Sequence, residues 1–180
     1  MASFLAPWSS FFVMTGSSAA ALTGLMFVVI TLVQSEEAQA RSSDGIATFS
    51  TPTVVHFCIV LLVSALLLAP WHSAIIPAAL VALVGLYEVT YIARLTLRVK
   101  RFEAYKPDAE DWTWYFVLPL TGYGALTFGA IVLTLVPREG LFVVAGAVLL
   151  LIFIGIRDAW DVVTFLAIGG GRRPPSQGGT

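Results

Sequence analysis

Three ionisable residues interrupt an apolar stretch near the end of the chain. Residues 141–156 carry no charge, and Arg157, Asp158 and Asp161 follow them within five positions. The chain is apolar again over residues 162–168. Charged side chains inside so apolar a segment are paired, hydrated or functional, because an isolated charge in hydrocarbon is strongly unfavourable. These three residues are therefore the first candidates for chemistry.

Glu88 and His56 interrupt two other apolar segments at a similar predicted depth. Counted from the outer ends of their helices, Glu88 lies about 14 residues deep and Arg157 about 16, a difference of ~3 Å. A pair of Arg157 with Glu88, or with Asp161 one helical turn along, would satisfy these charges. Tyr91 lies one turn from Glu88 and completes the candidate charged cluster.

This cluster has two interpretations. The first is a polar site for proton or ion movement on the cytoplasmic side of a membrane. The second is a structural clasp between the third and fifth apolar helices, since a buried ion pair can specify geometry without performing chemistry.

The spacing of the candidate catalytic residues does not support an enzyme active site. Ser17 or Ser18 would have to act with His56, but the predicted depths separate them by about 15 Å. No phosphate loop, dinucleotide fingerprint or hydrolase motif occurs. His72 falls on the other side of the membrane from His56, and Cys58 is the single cysteine. We therefore predict no catalytic residue, no metal site and no cofactor.

The composition identifies the elements that position these residues. Of the 180 residues, 58% are hydrophobic and only 12% are charged, with a mean hydropathy of +0.88. A soluble fold of this size cannot bury so much apolar surface, so we predict an all-α membrane protein. Residues 1–168 form one transmembrane domain, and residues 169–180 a disordered cytoplasmic tail. The five predicted spans are 11–33, 52–69, 74–98, 114–136 and 140–165.

Basic residues predict the orientation. Five spans place eight lysines and arginines on the side of the C-terminus, against Arg138 alone on the other. Basic residues favour the cytoplasmic side, so we expect the N-terminus outside and the C-terminus in the cytoplasm. Arg94, Arg98 and Arg101 share one helical face, which predicts a basic stem on the third helix. This stem either binds anionic lipid or a partner, or is simply a solvated helix end.

Small residues recur at four-residue steps in the first and fourth segments. Such stripes let helices approach closely in lipid. They favour packing within the bundle or in an oligomer, with a pore lining as the alternative. The residues concerned are Gly16, Ala20 and Gly24 in the first segment, and Gly122, Ala125 and Gly129 in the fourth.

The segment WSSFFVMTGSSAAALTGLMFV, residues 8–28, resembles a family of small bacterial membrane proteins. The resemblance is carried by an aromatic stretch, a run of small residues and a Thr-Gly-Leu-x-Phe-Val core at residues 23–28. Some members are labelled modulators of the FtsH protease. The resemblance implies a multi-helix protein of the bacterial inner membrane, and it brings no catalytic residues with it.

Three functions are compatible with these patterns. The first is a non-enzymatic accessory or regulatory membrane protein, and the second is a small oligomeric channel or transporter. An intramembrane enzyme is the third, and the absence of a nucleophile, base and metal at one depth disfavours it. The expected partners are the lipid bilayer and either further copies of the chain or another membrane protein. No nucleic acid is expected.

Overall fold

The structure, a computed structural model, describes residues 4–36, 43–99 and 112–169. These residues form five α-helices and no strand, which confirms the predicted all-α class. A 3₁₀ turn, Ala6–Trp8, precedes the first helix, and a π-helical turn, Thr113–Val117, precedes the fourth. The helices are α1 (Ser9–Glu36), α2 (Ser43–Leu68), α3 (Ile75–Val99), α4 (Leu118–Leu135) and α5 (Pro137–Gly169).

Four helical segments are long and apolar enough to cross a membrane. They are Ala6–Thr31, Ile75–Arg94, Thr113–Leu135 and Pro137–Thr164. The apolar part of α2, Thr53–Leu68, is shorter than these. The described helices therefore fit a multi-pass membrane protein, and α2 as a fifth span stays a prediction.

Two helix starts differ from the predicted ones. We expected Pro52 in the first turn of the second helix, but α2 begins at Ser43 and continues through this proline. A transmembrane helix can contain a proline, because neighbouring helices and side chains satisfy the backbone group that the proline leaves unpaired. A loop was expected over residues 137–140, whereas Val136 alone separates α4 from α5. Proline is suited to the first helical position because no intrahelical partner exists for an N–H there. The predicted tail beyond Gly169 lies outside the described residues.

The helices pack in the spatial order α3, α4, α5, α2, α1. Helix α5 lies between α4 and α2, α3 packs mainly on α4, and α1 packs mainly on α2. Trp8 lies edge-on to Phe142, with 4.7 Å between ring centroids, so α1 and α5 begin at the same end of the bundle. At the opposite end, Trp114, just before α4, contacts Arg157 in the later part of α5.

Several predicted small residues lie at helix crossings. A Cβ placed on Gly122 would lie 3.0 Å from Cδ2 of Leu151, and one on Gly129 would lie 3.0 Å from Cγ2 of Val144. These contacts bring α4 close to α5. Gly16 contacts Ser64 of α2 in the same way. The other three predicted residues differ, because Ala125 is half-buried, Ala20 is exposed, and nothing lies within 4 Å of a Cβ placed on Gly24.

A buried polar cluster between four helices

A hydrogen bond between His56 and Tyr123 joins α2 to α4. Nδ1 of His56 lies 2.6 Å from the hydroxyl oxygen of Tyr123. Both side chains are buried, with Tyr123 fully enclosed and His56 5% exposed. Either atom is able to donate, depending on which ring nitrogen of the histidine carries its proton. The bond therefore has two possible directions.

Asp158 of α5 lies on the other side of the same imidazole. Its Oδ2 atom is 3.9 Å from Nε2 of His56, which is longer than a hydrogen bond. The carboxyl group is 3% exposed, and its Oδ1 atom has no hydrogen-bond partner. A buried oxygen without a partner is unfavourable. His56 thus stands between two oxygen-bearing side chains, of which only Tyr123 is directly bonded to it.

Glu88 reaches the same region from α3. Its side chain is buried, with 6% exposed. Helix α3 comes close to α4 here, since a Cβ placed on Gly85 would lie 3.1 Å from the carbonyl oxygen of Tyr123. Glu88 lies less than one turn beyond this glycine. We call His56, Tyr123, Asp158 and Glu88 the buried polar cluster.

Arg157 lies beside this cluster, next to Asp158 in α5. It forms an ion pair with Asp161, one turn along α5, and its guanidinium carbon lies 5.3 Å from the ring centroid of Trp114. Arg157 and Asp161 are 32% and 35% exposed. Of the two pairs predicted for Arg157, the one with Asp161 is therefore present.

The other predicted pair, Arg157 with Glu88, stays a prediction. Helix α4 lies between α3 and α5, so the two helices do not pack along their lengths. The predicted depths were similar, but depth does not reveal which helices are neighbours. Tyr91 also lies apart from the buried polar cluster, because its side chain is 54% exposed.

Tyr123 is the cluster residue that sequence reasoning did not place there. Its place directly after Gly122 is not a sufficient signal, because Leu86 directly follows the closely packed Gly85 and is 51% exposed. A tyrosine hydroxyl needs a polar partner only once the side chain is known to be buried.

The predicted basic stem is described only in part. Arg94 is exposed, whereas the side chain of Arg98 and all of Arg101 lie outside the described residues. Within residues 4–36, 43–99 and 112–169, no group of three or more histidine, cysteine, aspartate or glutamate side chains could hold a metal ion.

An apolar groove of about 530 Å³ lies between α1 and α5, separate from the cluster. Met26 and Phe153 contribute to its walls, and Trp114 and Arg157 also line it. None of the four residues of the buried polar cluster lines this groove. The groove therefore gives the cluster no opening.

Comparisons with known proteins assign no family. No model of a known protein family matches the chain, and neither a curated protein nor a solved structure matches it.

Proposed function

We propose that the chain is an integral membrane protein with a non-enzymatic accessory or regulatory role. The observation that carries this proposal is the enclosure of the buried polar cluster, whose four side chains are exposed by no more than 6%. An enzyme or a channel requires its substrate to reach the functional groups. Enclosed polar groups instead favour a role in fixing the arrangement of helices.

The cluster is suited to such a role because its members come from four helices. His56, Tyr123 and Asp158 connect α2, α4 and α5, and Glu88 adds α3. A polar group in a membrane interior has few alternative partners, so it favours one packing arrangement over others. This supports a bundle of defined shape that presents a surface to another protein.

Part of α1 is available for such contact. Ala20 is exposed, and a Cβ on Gly24 would meet nothing within 4 Å. Small residues on an uncovered helix face let a second helix approach closely. We propose that this face contacts another membrane protein or a second copy of the chain. The resemblance of residues 8–28 to modulators of a membrane protease is compatible with the first of these partners.

We further propose five membrane spans in the bacterial inner membrane, with the N-terminus outside. The excess of basic residues on the C-terminal side supports this orientation. Labelling of single introduced cysteines by a membrane-impermeant thiol reagent tests it, in a background with Cys58→Ser. A cysteine in the α2–α3 connection should be labelled from outside in intact cells, and one after Gly169 should not. The reverse pattern would contradict the orientation.

Crosslinking in native membranes tests the accessory role. A photoreactive residue at position 24 should capture a discrete partner, while one at position 16, where Ser64 covers the helix, should not. Capture at neither position, together with recovery of the chain alone after mild solubilisation, would contradict the role. Capture of the same chain would identify the uncovered face as a homo-oligomer contact.

A second candidate is a small proton channel or transporter, favoured by the partnerless Oδ1 atom of Asp158. Intramembrane carboxylates and histidines often lie on proton pathways. Purified protein in liposomes should then carry a proton flux that Glu88→Gln or Asp158→Asn reduces at least tenfold. Glu139→Gln, an exposed position in the first turn of α5, is the matched control and should leave the flux unchanged. A flux indistinguishable from that of empty liposomes would exclude this candidate.

A further inference from the structure

We propose that Asp158 and His56 form a proton-binding site in which uptake of one proton by Asp158 switches the tautomer of His56 and turns the Tyr123 hydroxyl towards the side of Glu88. The residues of the site lie on α2, α4 and α5, and the Tyr123 hydroxyl connects the site to Glu88 of α3. It is independent of the accessory role proposed above, because it concerns the internal chemistry of the bundle.

The positions of the two imidazole nitrogens carry this inference. Nδ1 of His56 lies 2.6 Å from the Tyr123 hydroxyl, while Nε2 faces Oδ2 of Asp158 at 3.9 Å. A neutral imidazole has one N–H donor and one acceptor nitrogen. The same ring therefore cannot donate to both neighbours, and the protonation of Asp158 decides which of them receives its hydrogen.

With Asp158 as a carboxylate, the imidazole proton is on Nε2 and faces the negative oxygen. Nδ1 is then an acceptor, and the Tyr123 hydroxyl donates to it. With Asp158 protonated, its O–H donates to Nε2, and the imidazole proton must be on Nδ1. Tyr123 then accepts from Nδ1, and its own hydrogen turns away. The second state holds one proton more than the first, namely the carboxylic acid proton of Asp158.

The gap between Asp158 and His56 must close before either of these hydrogen bonds can form. A separation of 3.9 Å must shorten by about 1 Å to become a hydrogen bond. The Oδ1 atom also lacks a partner, so the present arrangement satisfies only part of the carboxyl group. Formation of the Asp158–His56 bond would draw α5 and α2 together at this level.

Other charged groups near the site come from the neighbouring helices and from α5 itself. Glu88 is buried on α3, less than one turn beyond Gly85, which packs against the backbone of Tyr123. Arg157 and Asp161 of α5 are paired with each other, and both charges also act on the carboxyl group of Asp158. Helix α1 has no ionisable side chain between residues 9 and 31. Glu88 is thus the charged group that α3 brings to this region, and its carboxylate would attract the hydroxyl hydrogen that turns away from His56.

Histidine tautomers provide a direct test. The chain has two histidines, His56 and His72, and His72 is exposed in the connection between α2 and α3. We would label histidine with ¹⁵N, reconstitute the full chain in lipid, and record both ring nitrogens by solid-state NMR from about pH 5 to about pH 9. His72 supplies a second set of ring resonances as an internal reference.

The expected result is an exchange of the protonated nitrogen of His56 from Nε2 at high pH to Nδ1 at low pH. Asp158→Asn should abolish this exchange, and Glu139→Gln, an exposed position in the first turn of α5, should preserve it. In Tyr123→Phe the His56 resonances should no longer respond to Glu88→Gln, to which they respond in the unsubstituted chain. A single His56 tautomer throughout the pH range would overturn the proposal, as would a His56 that becomes doubly protonated at low pH. The first of these measurements needs no variant, so misfolding of a substituted chain cannot obscure the answer.

Discussion

His56 and Tyr123 are 67 positions apart in the chain, yet the Nδ1 atom of one lies 2.6 Å from the hydroxyl oxygen of the other. The bond joins two helices that are not consecutive in sequence. Hydrogen bonds between transmembrane helices contribute modestly on average. Breaking the His56–Tyr123 bond should lower the free energy of unfolding by more than this average, because both groups are buried and each would be left without a hydrogen-bond partner.

Removal of the Tyr123 hydroxyl should therefore destabilise the bundle. Tyr123→Phe keeps the ring and leaves Nδ1 of His56 without its partner, and we expect a loss of about 1–3 kcal/mol in the free energy of unfolding. Equilibrium unfolding in mixed micelles, followed by circular dichroism, measures this loss. Tyr87→Phe is the matched control, because Tyr87 is 67% exposed. This variant should have the same free energy of unfolding as the unsubstituted chain. Equal stability of the two variants would show that the bond makes no net contribution.

The sequence predicts the helices better than their neighbours. Apolar length and polar interruptions indicate α1, α3, α4 and α5, because each must satisfy its own backbone hydrogen bonds in lipid. The order in which helices pack depends on surfaces that meet only in three dimensions. Glu88 and Arg157 were placed at one depth, but α4 separates their helices. His56 and Asp158 were both identified as candidates, whereas their contact required knowing that α2 packs on α5.

Glycines show the same limit in a different way. Gly155 was not among the predicted packing residues, yet a Cβ on it would lie 2.6 Å from Cε1 of Phe57. Gly24 belonged to a predicted stripe and has no neighbour within 4 Å. The regular spacing of small residues identifies a face that permits close approach. Whether a helix of the same chain uses that face depends on the rest of the bundle.

Substitution of Gly155 should disrupt the crossing of α5 and α2. In Gly155→Ala the new methyl group would lie 2.6 Å from Cε1 of Phe57, so this buried ring has to shift. Overpacking of this kind destabilises by about 1–3 kcal/mol. Gly146→Ala, also in α5, is the control, because a Cβ there meets nothing within 4 Å. Both variants gain the helix propensity of alanine, so the difference between their unfolding midpoints isolates the contact with Phe57.

Double-mutant cycles should distinguish the two pairs predicted for Arg157, one with Asp161 and one with Glu88. Arg157→Gln and Asp161→Asn should show a coupling energy of about 0.5 kcal/mol, typical of a partly exposed pair at this helical spacing. Arg157→Gln and Glu88→Gln should instead be additive to within about 0.5 kcal/mol. Each cycle is measured by unfolding of the two single variants and the double variant. A coupling energy between Arg157 and Glu88 above about 1 kcal/mol, roughly twice the expected scatter, would support an ion pair between α3 and α5.

The contact between α1 and α2 allows a prediction with its own rescue. A Cβ on Gly16 would lie 2.9 Å from Cβ of Ser64, so Gly16→Ala should be less stable than Gly24→Ala by about 1–3 kcal/mol. Ser64→Gly removes the opposing carbon and should recover most of this loss in the double variant. Ser64→Ala keeps that carbon and should recover none, although both substitutions remove the hydroxyl that lies 3.2 Å from Oγ1 of Thr15. Rescue by glycine alone would assign the effect to the close approach of the two helices, whereas rescue by both would assign it to the hydroxyl group.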